Sequence, residues 1–452
     1  MAFLLASMLS SLASLSAAPP DLILEGATIY ESPDANPRKA SVVLSGGRIL
    51  FVGDSAAARA KSPSAQRVDL TGAFLFPGLA DAHGHLEGLG QSLEIADLRG
   101  AKDAADAARR VAAVAAKLPA GAWAEGRGWD QNRWPGARFP DARDLDAAVP
   151  ERPAVARRVD GHALWVNSAA LRLIPISAST RDPEGGRVER RADGSPSGVF
   201  VDHAMELVER AMPATTEADF TRRFLAAARA CAESGLTEVQ DASAYTPEDI
   251  DWIVRLAENG ELPIRVYATV SADPALLEKA FANGVRIGGA NDFLTVRAIK
   301  TYADGALGSR GAALLADYSD DPGNRGLLLT PPERLNELAR QAREKGWQLW
   351  VHAIGDRGNR VALDAYAKAR SVPSAAGGDR PRIEHAQVIA LSDIPRFAKE
   401  GVIASIQPTH ATSDMAWAEQ RVGPERIRGA YAWRQLAASG ARLAGGSDFP
   451  VE

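Results

Sequence analysis

The chain of 452 residues is long enough for a barrel with accessory domains, and a composition of 46% hydrophobic and 24% charged residues is typical of a folded globular protein. A formal net charge of −5, with no block of Lys and Arg, argues against nucleic acid as a partner. The single cysteine, Cys231, excludes an internal disulfide and a cysteine-based metal cluster, and its helix-like surroundings predict a small buried apolar residue.

The N-terminal segment differs in character from the rest of the chain. Residues 1–18 carry no charged side chain, and the apolar run from Phe3 to Leu15 has the length of a signal-peptide core. Ser16-Ala17-Ala18 resembles a cleavage site, although no Lys or Arg precedes the run and Pro19 follows the expected cut. The pattern predicts a signal peptide and export to the periplasm or beyond; the alternative is an unstructured leader on a cytoplasmic enzyme. Five serines in this segment argue against a permanent membrane span, and no later stretch predicts one.

Residues 19–70 have the pattern of a small β-domain. Short apolar runs bounded by Gly, Pro, Asn and Asp predict strands at 21–25, 41–45 and 49–52. Gly46-Gly47 has the composition of a hairpin turn between the last two of these strands.

Two histidines one residue apart, His83 and His85, follow the apolar run 74–82. Side chains alternate along a strand, so both imidazoles are expected on the same face. Two neutral imidazoles at a strand end are suitable ligands for a divalent metal ion. The alternative is a pair of ordinary surface or turn histidines. Residues 71–94 are therefore predicted to hold the first barrel strand and the loop after it.

Residues 95–215 do not fit the barrel pattern and are predicted to form an α/β insertion after the first strand. The predicted elements are a helix and two strands, over residues 102–118, 123–129 and 153–159. Trp129, Trp134 and Trp165 cluster in this region. They are expected either to line an apolar lid over a pocket or to pack in the core of the insertion.

From residue 216 to residue 452 one pattern repeats: a helix-like stretch ends in Gly, an apolar strand follows, and a polar residue closes the strand. Eight predicted strands favour a (β/α)8 TIM-type barrel over a doubly wound open sheet, which would show the same alternation. The predicted strands are 74–82, 236–241, 264–270, 294–300, 347–352, 382–385, 402–407 and 441–448. Such a barrel places its chemistry at the carboxyl ends of the strands.

Polar side chains with metal-binding chemistry stand at several of these strand ends. Lys300 closes the strand 294–300, and burial would lower its pKa. A neutral amine can capture carbon dioxide, and the resulting carbamate is an anionic ligand with two oxygens that can bridge two cations. The other candidates at or just after strand ends are His83, His85, His352, His385, His410 and Asp448.

Several motifs, in order along the chain, resemble the metal-dependent amidohydrolase superfamily. More narrowly, they resemble its N-substituted formamide deformylase-like branch (YtcJ-type, amidohydrolase 3). The resemblance runs from about residue 21 to the last residue. The motifs are F-P-G-L-A-D-A-H-G-H, I-K-T-Y-A-D-G-A-L-G-S-R, V-H-A-I-G-D-R, R-I-E-H-A-Q and G-G-S-D-F-P-V.

The resemblance implies one or two divalent metal ions, with zinc as the expected metal. The ligands implied for a first ion are His83, His85 and Asp448. The ligands implied for a second ion are His352 and His385, with carbamylated Lys300 as a bridge between the two ions. The alternative is a single-metal site in which Lys300 is an ordinary buried lysine paired with Asp304.

Three residues are candidates for roles in catalysis. Asp448 would take the proton of the attacking water and pass it to the leaving nitrogen, and its alternative role is that of a structural cap at a strand end. His410 and His162 are predicted to contact the substrate, with a plain loop histidine and a histidine satisfied within the insertion as the alternatives. His203 has no such context and is interpreted as structural.

These features predict a metal-dependent hydrolase that cleaves a non-peptide carbon–nitrogen bond in a small-molecule amide, or a formamide with an apolar N-substituent. The alternatives are a cyclic amide or lactone hydrolase on the same site and a non-catalytic descendant that binds metal or ligand. The sequence stops four residues after Asp448. We therefore expect no helix after the eighth strand and no strands returning to the β-domain. Either the chain is incomplete or the barrel closes differently. No feature of the sequence indicates an oligomeric state.

Overall fold

The computed structural model describes residues 21–32, 34–119, 121–183, 185–375 and 378–451. The predicted signal peptide at 1–18 lies outside these residues. The chain divides into two compact units, residues 1–78 and 79–452. Within the described ranges, no helix combines the length and the apolar character needed to cross a membrane.

The first unit is a five-stranded sheet with one helix. Its elements are β1 (Leu22–Ile29), β2 (Arg38–Ser45), β3 (Arg48–Gly53), α1 (Ser55–Lys61), β4 (Gln66–Asp69) and β5 (Phe74–Leu75). Strands β1, β2 and β3 form an antiparallel meander, whereas β4 and β5 pair parallel to β1. Gly46 and Gly47 both adopt positive φ in the β2–β3 turn, as their composition predicts.

The apolar run predicted as one barrel strand, 74–82, is two strands in the structure. Phe74 and Leu75 pair with β1 in the first unit, and the barrel strand β6 (Leu79–Gly84) begins only after Pro77. Proline has no N–H to donate to a sheet, which interrupts the strand there. His83 lies within β6, whereas His85 lies just beyond it, at the start of α2 (Leu86–Ser92).

An α/β layer follows α2 and contains a second, six-stranded sheet. Its strands are β7 (Ala96–Asp97), β8 (Ala124–Trp129), β9 (Ala154–Arg158), β10 (Ala163–Val166), β11 (Gly186–Arg190) and β12 (Pro196–Asp202), in the spatial order β11–β12–β10–β9–β8–β7. Its helices are α3 (Ala104–Ala115), α4 (Ala142–Asp146), α5 (Ser168–Leu171) and α6 (Met205–Glu209), with a 3-10 turn at Gln131–Arg133. The predicted helix and two strands are present as α3, β8 and β9, and β10 to β12 were not predicted.

Three tryptophans form the core of this layer. Trp129, Trp134 and Trp165 are buried, and their rings lie 6.0 to 6.3 Å apart between centroids. The indole N–H groups donate to backbone carbonyl oxygens, so the polar ends are satisfied inside the layer. Of the two alternatives for these residues, the structure shows core packing.

The rest of the second unit completes an eight-stranded parallel barrel with helices on its outside. After β6, its strands are β13 (Leu236–Tyr245), β14 (Arg265–Ser271), β16 (Leu294–Tyr302), β17 (Gln348–Ala353), β18 (Arg382–His385), β19 (Ile403–Ile406) and β20 (Arg442–Gly445); β15 (Arg286–Gly288) pairs antiparallel with β16. The helices are α7 (Glu217–Glu233), α8 (Pro247–Glu258), α9 (Pro274–Asn283), α10 (Gly289–Asp292), α11 (Pro332–Lys345), α12 (Asp356–Ala369), α13 (Ile394–Glu400), α14 (Pro408–Asp414), α15 (Ala418–Arg426) and α16 (Trp433–Ala438), with a 3-10 turn at Ile427–Gly429. The predicted TIM-type (β/α)8 fold is confirmed.

The core of the barrel unit lies between the strands and the surrounding helices. Phe224 of α7, Ile253 of α8 and Leu363 of α12 are fully buried there. Cys231 of α7 is also buried in this core, as the sequence predicts. Helices α11 and α13 end at Gly346 and Gly401, which take the left-handed conformation that glycine adopts without strain.

The last strand approaches the first strand closely enough to join the two ends of the sheet. The N–H of Asp448 donates to the carbonyl oxygen of His83 at 2.7 Å, and the N–H of His85 donates to that of Phe449 at 2.9 Å. A Cβ on Gly446 would lie 2.5 Å from the backbone nitrogen of His83, so only glycine permits this approach. The contact places Asp448 beside the two histidines of the first strand.

Candidate metal centre

Three buried side chains from distant parts of the sequence meet at the carboxyl ends of the barrel strands. They are His83 of β6, His385 of β18 and Asp448, which follows β20. One ligand atom from each lies within 4.8 Å of the other two. The ring centroids of His83 and His385 are 5.0 Å apart. Two imidazole nitrogens and a carboxylate oxygen at this spacing form a suitable set for one divalent ion.

His85 and His352 extend this group on two sides. The Nε2 atom of His85 lies 3.0 Å from Oδ1 of Asp448. The ring of His352, on β17, lies 4.6 Å from that of His385 between centroids. Both side chains line the same cavity, so all of the predicted histidine ligands share one region of the barrel mouth.

Lys300 lies on β16 at the same end of the barrel, and it is 2% exposed. Its ammonium lies 5.1 Å from the centre of the Tyr302 ring, and burial lowers its pKa. A buried lysine with a lowered pKa has more of the neutral amine that carbamate formation requires.

Asp304 does not serve as the partner of Lys300. Its carboxylate accepts hydrogen bonds from the backbone N–H groups of Ala313, Ile354 and Gly355, at 2.8 to 2.9 Å. No ion pair joins Asp304 to Lys300 in the described parts of the chain, so the alternative pairing of these two residues is wrong. Asp304 instead holds two loops together behind the centre.

The electrostatics of the centre favour neutral imidazoles. Burial and the nearby charge of Lys300 lower the pKa of His83 to about 4. Burial also places the pKa values of His352 and His385 well below the ordinary range. Neutral imidazole is the form that binds metal ions, so these rings are ready to act as ligands at neutral pH.

Asp448 is ionised within this cluster. Burial by itself would raise the pKa of Asp448, but interactions with His83, His410 and His85 hold that pKa well below its usual range. The centre therefore combines neutral nitrogen ligands with one anionic oxygen ligand.

Nδ1 of His83 contacts a buried ion pair, Glu384 with Arg382, that the sequence analysis did not predict. Oε2 of Glu384 lies 2.5 Å from Nδ1 of His83, and Arg382 donates to both oxygens of Glu384 at 2.8 and 2.9 Å. With Nδ1 donating to Glu384, Nε2 of His83 is the acceptor; it is buried and makes no hydrogen bond within the described structure. A buried ring nitrogen with a free lone pair, beside a carboxylate, fits a metal ligand.

The alternation of β18 could have revealed this support. Arg382 and Glu384 lie two residues apart on one strand, so their side chains point to the same face, here the barrel interior. A charged pair of opposite sign on the inward face of a buried strand indicates a functional network, because such groups are rarely buried without partners.

The ligand residues also adopt unusual backbone conformations. His385 has φ of 71° and Asp448 has φ of 64°, in the left-handed region that favours glycine. Nδ1 of His385 lies 2.9 Å from Oε1 of Gln407, which holds the ring in place. Backbone strain of this kind concentrates at functional sites, where the surrounding structure maintains it.

The two histidines predicted to contact substrate take different positions. Nε2 of His410 lies 3.2 Å from Oδ2 of Asp448, and its ring stacks on that of His385. Nδ1 of His162, in the inserted layer, lies 2.9 Å from Oδ1 of Asp202. Both histidines line the cavity, and so does His203, which the sequence interpretation treats as structural.

The cavity above the centre has a volume of about 640 Å³ and opens between the barrel mouth and the inserted layer. Its apolar lining includes Leu98 from the inserted layer and Leu307, Leu329 and Trp417 from the barrel loops. This volume and mixed lining are typical of a site for a small organic molecule.

Comparison with known proteins agrees with this site. The profile of a family described as amidohydrolase matches residues 66–452. This chain belongs to the amidohydrolase family. The family predicted from the sequence motifs is therefore confirmed.

Similar proteins include both curated relatives and solved structures. The putative amidohydrolase YtcJ of Bacillus subtilis (strain 168) is 33% identical over 440 residues, which cover 95% of this chain and 81% of the relative. The N-substituted formamide deformylase of Arthrobacter pascens is 25% identical over 450 residues, which cover 95% and 81% of the two chains. The crystal structure of an uncharacterized metal-dependent hydrolase from Pyrococcus horikoshii OT3 aligns with a TM-score of 0.78 and 28% identity, over 96% of this chain and 83% of that chain. Together these findings support a metal-dependent amidohydrolase that acts on a small molecule.

Proposed function

We propose that this amidohydrolase cleaves a non-peptide carbon–nitrogen bond in an amide or an N-substituted formamide. The observation that carries the proposal is the buried group of His83, His385 and Asp448 beneath a cavity of small-molecule size. The relationship to an N-substituted formamide deformylase supports the type of bond. The apolar part of the cavity lining supports an apolar substituent on the substrate.

The donor set suits zinc, because imidazole nitrogen and carboxylate oxygen are ligands that zinc accepts. The spacing supports one ion held by His83, His385 and Asp448, with His85 at its edge. His352, which adjoins His385, and a carbamylated Lys300 are available to a second ion. The ring of His385 lies close to those of both His83 and His352, at 5.0 and 4.6 Å between centroids, so this grouping and the two ligand sets implied by the resemblance are alternatives that metal analysis distinguishes.

Residues of the chain would handle the protons and orient the substrate. A bound divalent ion supplies a Lewis acid that polarises the substrate carbonyl and acidifies water. Asp448 is ionised and faces the cavity, so its carboxylate can accept a proton from the attacking water and deliver it to the leaving nitrogen. Nε2 of His410 lies 3.2 Å from this carboxylate and can help to keep it in position, while His162 can reach the substrate from the opposite wall.

The proposal is tested by metal analysis together with turnover on a panel of formamides, linear amides, cyclic amides and lactones. We expect purified protein to contain zinc, to hydrolyse at least one linear amide or formamide, to lose activity on chelation and to regain it with zinc. Faster hydrolysis of cyclic amides or lactones would replace the proposed bond type with a ring-opening reaction. Bound metal without turnover of any member of the panel would overturn the enzymatic proposal.

An Asp448→Asn variant tests both proposed roles of this carboxylate, as proton acceptor and as metal ligand. The amide keeps the size of the side chain but cannot accept the proton, so we expect kcat to fall by about 100-fold or more while the fold is retained. Circular dichroism and metal content of the variant serve as the controls.

A further inference from the structure

One guanidinium on the cavity wall, that of Arg127, has no hydrogen-bond or ion-pair partner among the described side chains. Arg127 lies on β8 of the inserted layer and lines the cavity. Its Nε atom is buried and makes no hydrogen bond. Across the described ranges, neither an ion pair nor a side-chain hydrogen bond joins Arg127 to another residue. Arg127 as a whole is half-buried, but a buried donor nitrogen without an acceptor is costly, so its presence in a cavity calls for an explanation.

The other arginines that line the cavity are all paired with carboxylates. The pairs are Arg99 with Asp97, Arg133 with Asp130, and Arg158 with Asp130 and Asp160. Carboxylates on the same wall are engaged as well: Asp202 with His162, Glu206 with Arg210, and Glu209 with Arg157. Each of these carboxylates therefore has a closer partner than Arg127, on which Asp160 and Asp448 act only through charge at a distance.

The surroundings of Arg127 increase its attraction for an anion. Arg157 lies opposite Arg127 in the pairing of β8 with β9, and the two side chains point to the same face of the sheet. Burial and the like charge of Arg157 lower the pKa of Arg127 to about 10, which still leaves the guanidinium protonated at neutral pH. A fixed positive charge with a free planar fork of donors matches the shape of a carboxylate.

We propose that Arg127 anchors a carboxylate of the substrate, so that the amide hydrolysed here carries an acidic group as well as an apolar group. The inference rests on the proposed function, because the metal centre places the scissile bond in the same cavity. Arg127 and the metal centre would then hold the two polar parts of one substrate, with Leu307 and Trp417 facing the apolar part between them. In this arrangement Arg127 determines specificity and takes no part in the chemical step.

A matched pair of substrates tests this inference on the unmodified protein. N-formyl-L-phenylalanine and N-formyl-2-phenylethylamine share the formamide and the phenyl group and differ in the carboxylate. We expect the metal-loaded protein to show a kcat/KM about tenfold or more higher for the acid, the size of effect expected from a charge-assisted hydrogen bond. Equal values for the two compounds, or a preference for the neutral compound, would overturn the inference.

Arg127→Met and Arg99→Met are matched variants for the same assay. Each removes one guanidinium from the cavity wall, but Arg99 is already paired with Asp97. We expect the preference for the acid to fall about tenfold in Arg127→Met and to be unchanged in Arg99→Met. An unchanged preference in Arg127→Met would refute the anchor. Arg127→Lys retains the charge and is expected to keep part of the preference for the acid. This variant tests the anchor if Arg127→Met does not fold.

Calorimetric titration with N-formyl-L-phenylalanine separates failure of the anchor from failure of the proposed reaction. If neither formamide is hydrolysed but the acid binds, and binding weakens about tenfold in Arg127→Met, the anchor stands and the reaction is wrong. If both formamides are hydrolysed and binding of the acid does not depend on Arg127, the reaction stands and the anchor is wrong. Absence of binding to the unmodified protein would overturn the anchor directly.

Discussion

The imidazole of His83 is oriented by a residue that makes no contact with the cavity. Glu384 accepts the Nδ1 hydrogen of His83 and is itself held by Arg382, which lies 3.7 Å from the centre of the Trp350 ring. Burial alone would raise the pKa of Glu384, but Arg382 and His83 hold that pKa well below its usual range. The carboxylate therefore stays charged and makes His83 a stronger electron donor.

We expect Glu384→Gln to weaken zinc binding by about 10- to 100-fold, because the amide is a poorer acceptor for the imidazole N–H. Competition with a chromophoric chelator measures the affinity. Asp393→Asn is the control: Asp393 is a buried carboxylate paired with Arg360 that does not line the cavity, so its replacement leaves zinc affinity unchanged. Equal affinities in Glu384→Gln and the unmodified protein would remove Glu384 from the metal-binding network.

Lys300 is the residue that decides between one and two ions. If its carbamate bridges two ions, Lys300→Ala loses about one equivalent of metal per chain, which elemental analysis measures. Lys345→Ala is a matched control, because the Lys345 ammonium also lies over an aromatic ring, at 5.0 Å from that of Phe281, but on the outer helix α11. The same stoichiometry in Lys300→Ala and the control would contradict the bridge.

The buried imidazoles predict a pH dependence of stability for the protein stripped of metal. The pKa of His83 is about 4 in the folded chain and 6.5 in the unfolded chain. The unfolded chain thus binds more protons between these values, and stability is full above pH 6.5 and falls as the pH drops towards 4. The loss attributable to His83 is about 3 kcal/mol well below pH 4 and about 2 kcal/mol at pH 5. Urea unfolding at pH 5 and pH 7.5 measures it, and His83→Asn should reduce the difference. A pH-independent midpoint would contradict the buried neutral form.

At the scale of the elements, the barrel closes through a short junction between β20 and β6. The carboxylate of Asp81 accepts hydrogen bonds from the backbone N–H and the hydroxyl of Ser447, so side chains and backbone both join the two strands. Because His83 and Asp448 stand on the two sides of this junction, the geometry of the metal centre depends on it.

Gly446→Ala is expected to open this junction. The added Cβ would lie 2.5 Å from the backbone nitrogen of His83, and overpacking of this kind costs about 1–3 kcal/mol. Thermal denaturation should show a lower Tm, and zinc affinity should fall as His83 and Asp448 move apart. Gly445→Ala is the control, since a Cβ there meets nothing within 4 Å. Similar melting temperatures for the two variants would show that the junction tolerates the extra atom.

Sequence patterns predicted elements that are set by local periodicity. Strands β17 and β18 are short buried strands, and they carry His352 and His385 at or next to their last residue. Their positions and their chemistry were therefore both visible in the sequence. The antiparallel strands β10 to β12 were not predicted, because their pairing depends on contacts between segments rather than on a repeating pattern. Pro77 is a local signal that could have separated β5 from β6.

The members of the site were predictable from the sequence, and their division between one ion and two stays a prediction. Motif and chemistry identified His83, His385 and Asp448, and the resemblance assigned the first two to different ions. Which side chains share an ion depends on distances across the barrel, and these are set by strand tilt and by the close approach at Gly446. Contacts between distant segments also decide which side chains surround Arg127, so its lack of a described partner could not be predicted from the sequence.

At the scale of the whole molecule, both the barrel and the inserted layer contribute to the proposed site. The barrel supplies the candidate metal ligands, and the inserted layer supplies the opposite wall, with His162 and Arg127 facing the cavity. A barrel mouth without this layer would leave the centre open to solvent. Variation in the inserted layer can therefore alter the substrate while the barrel ligands remain in place.

Metal removal should loosen the barrel unevenly, because the candidate ligands come from only some of its strands. His83 and His385 lie on β6 and β18, and Asp448 follows β20, so a bound ion links three strands that are far apart in sequence. Saturation with zinc at 100 times its Kd adds about 2.7 kcal/mol to the free energy of unfolding, and chelation removes that contribution. After chelation, amide hydrogen exchange should be faster in β6, in β18 and in the residues around Asp448. Strands β1 to β3 of the first unit contribute no ligand, so their exchange rates should be unchanged. Uniformly faster exchange across both units would indicate global destabilisation rather than a local metal link, and unchanged exchange in β6 and β18 would argue that no ion is held there.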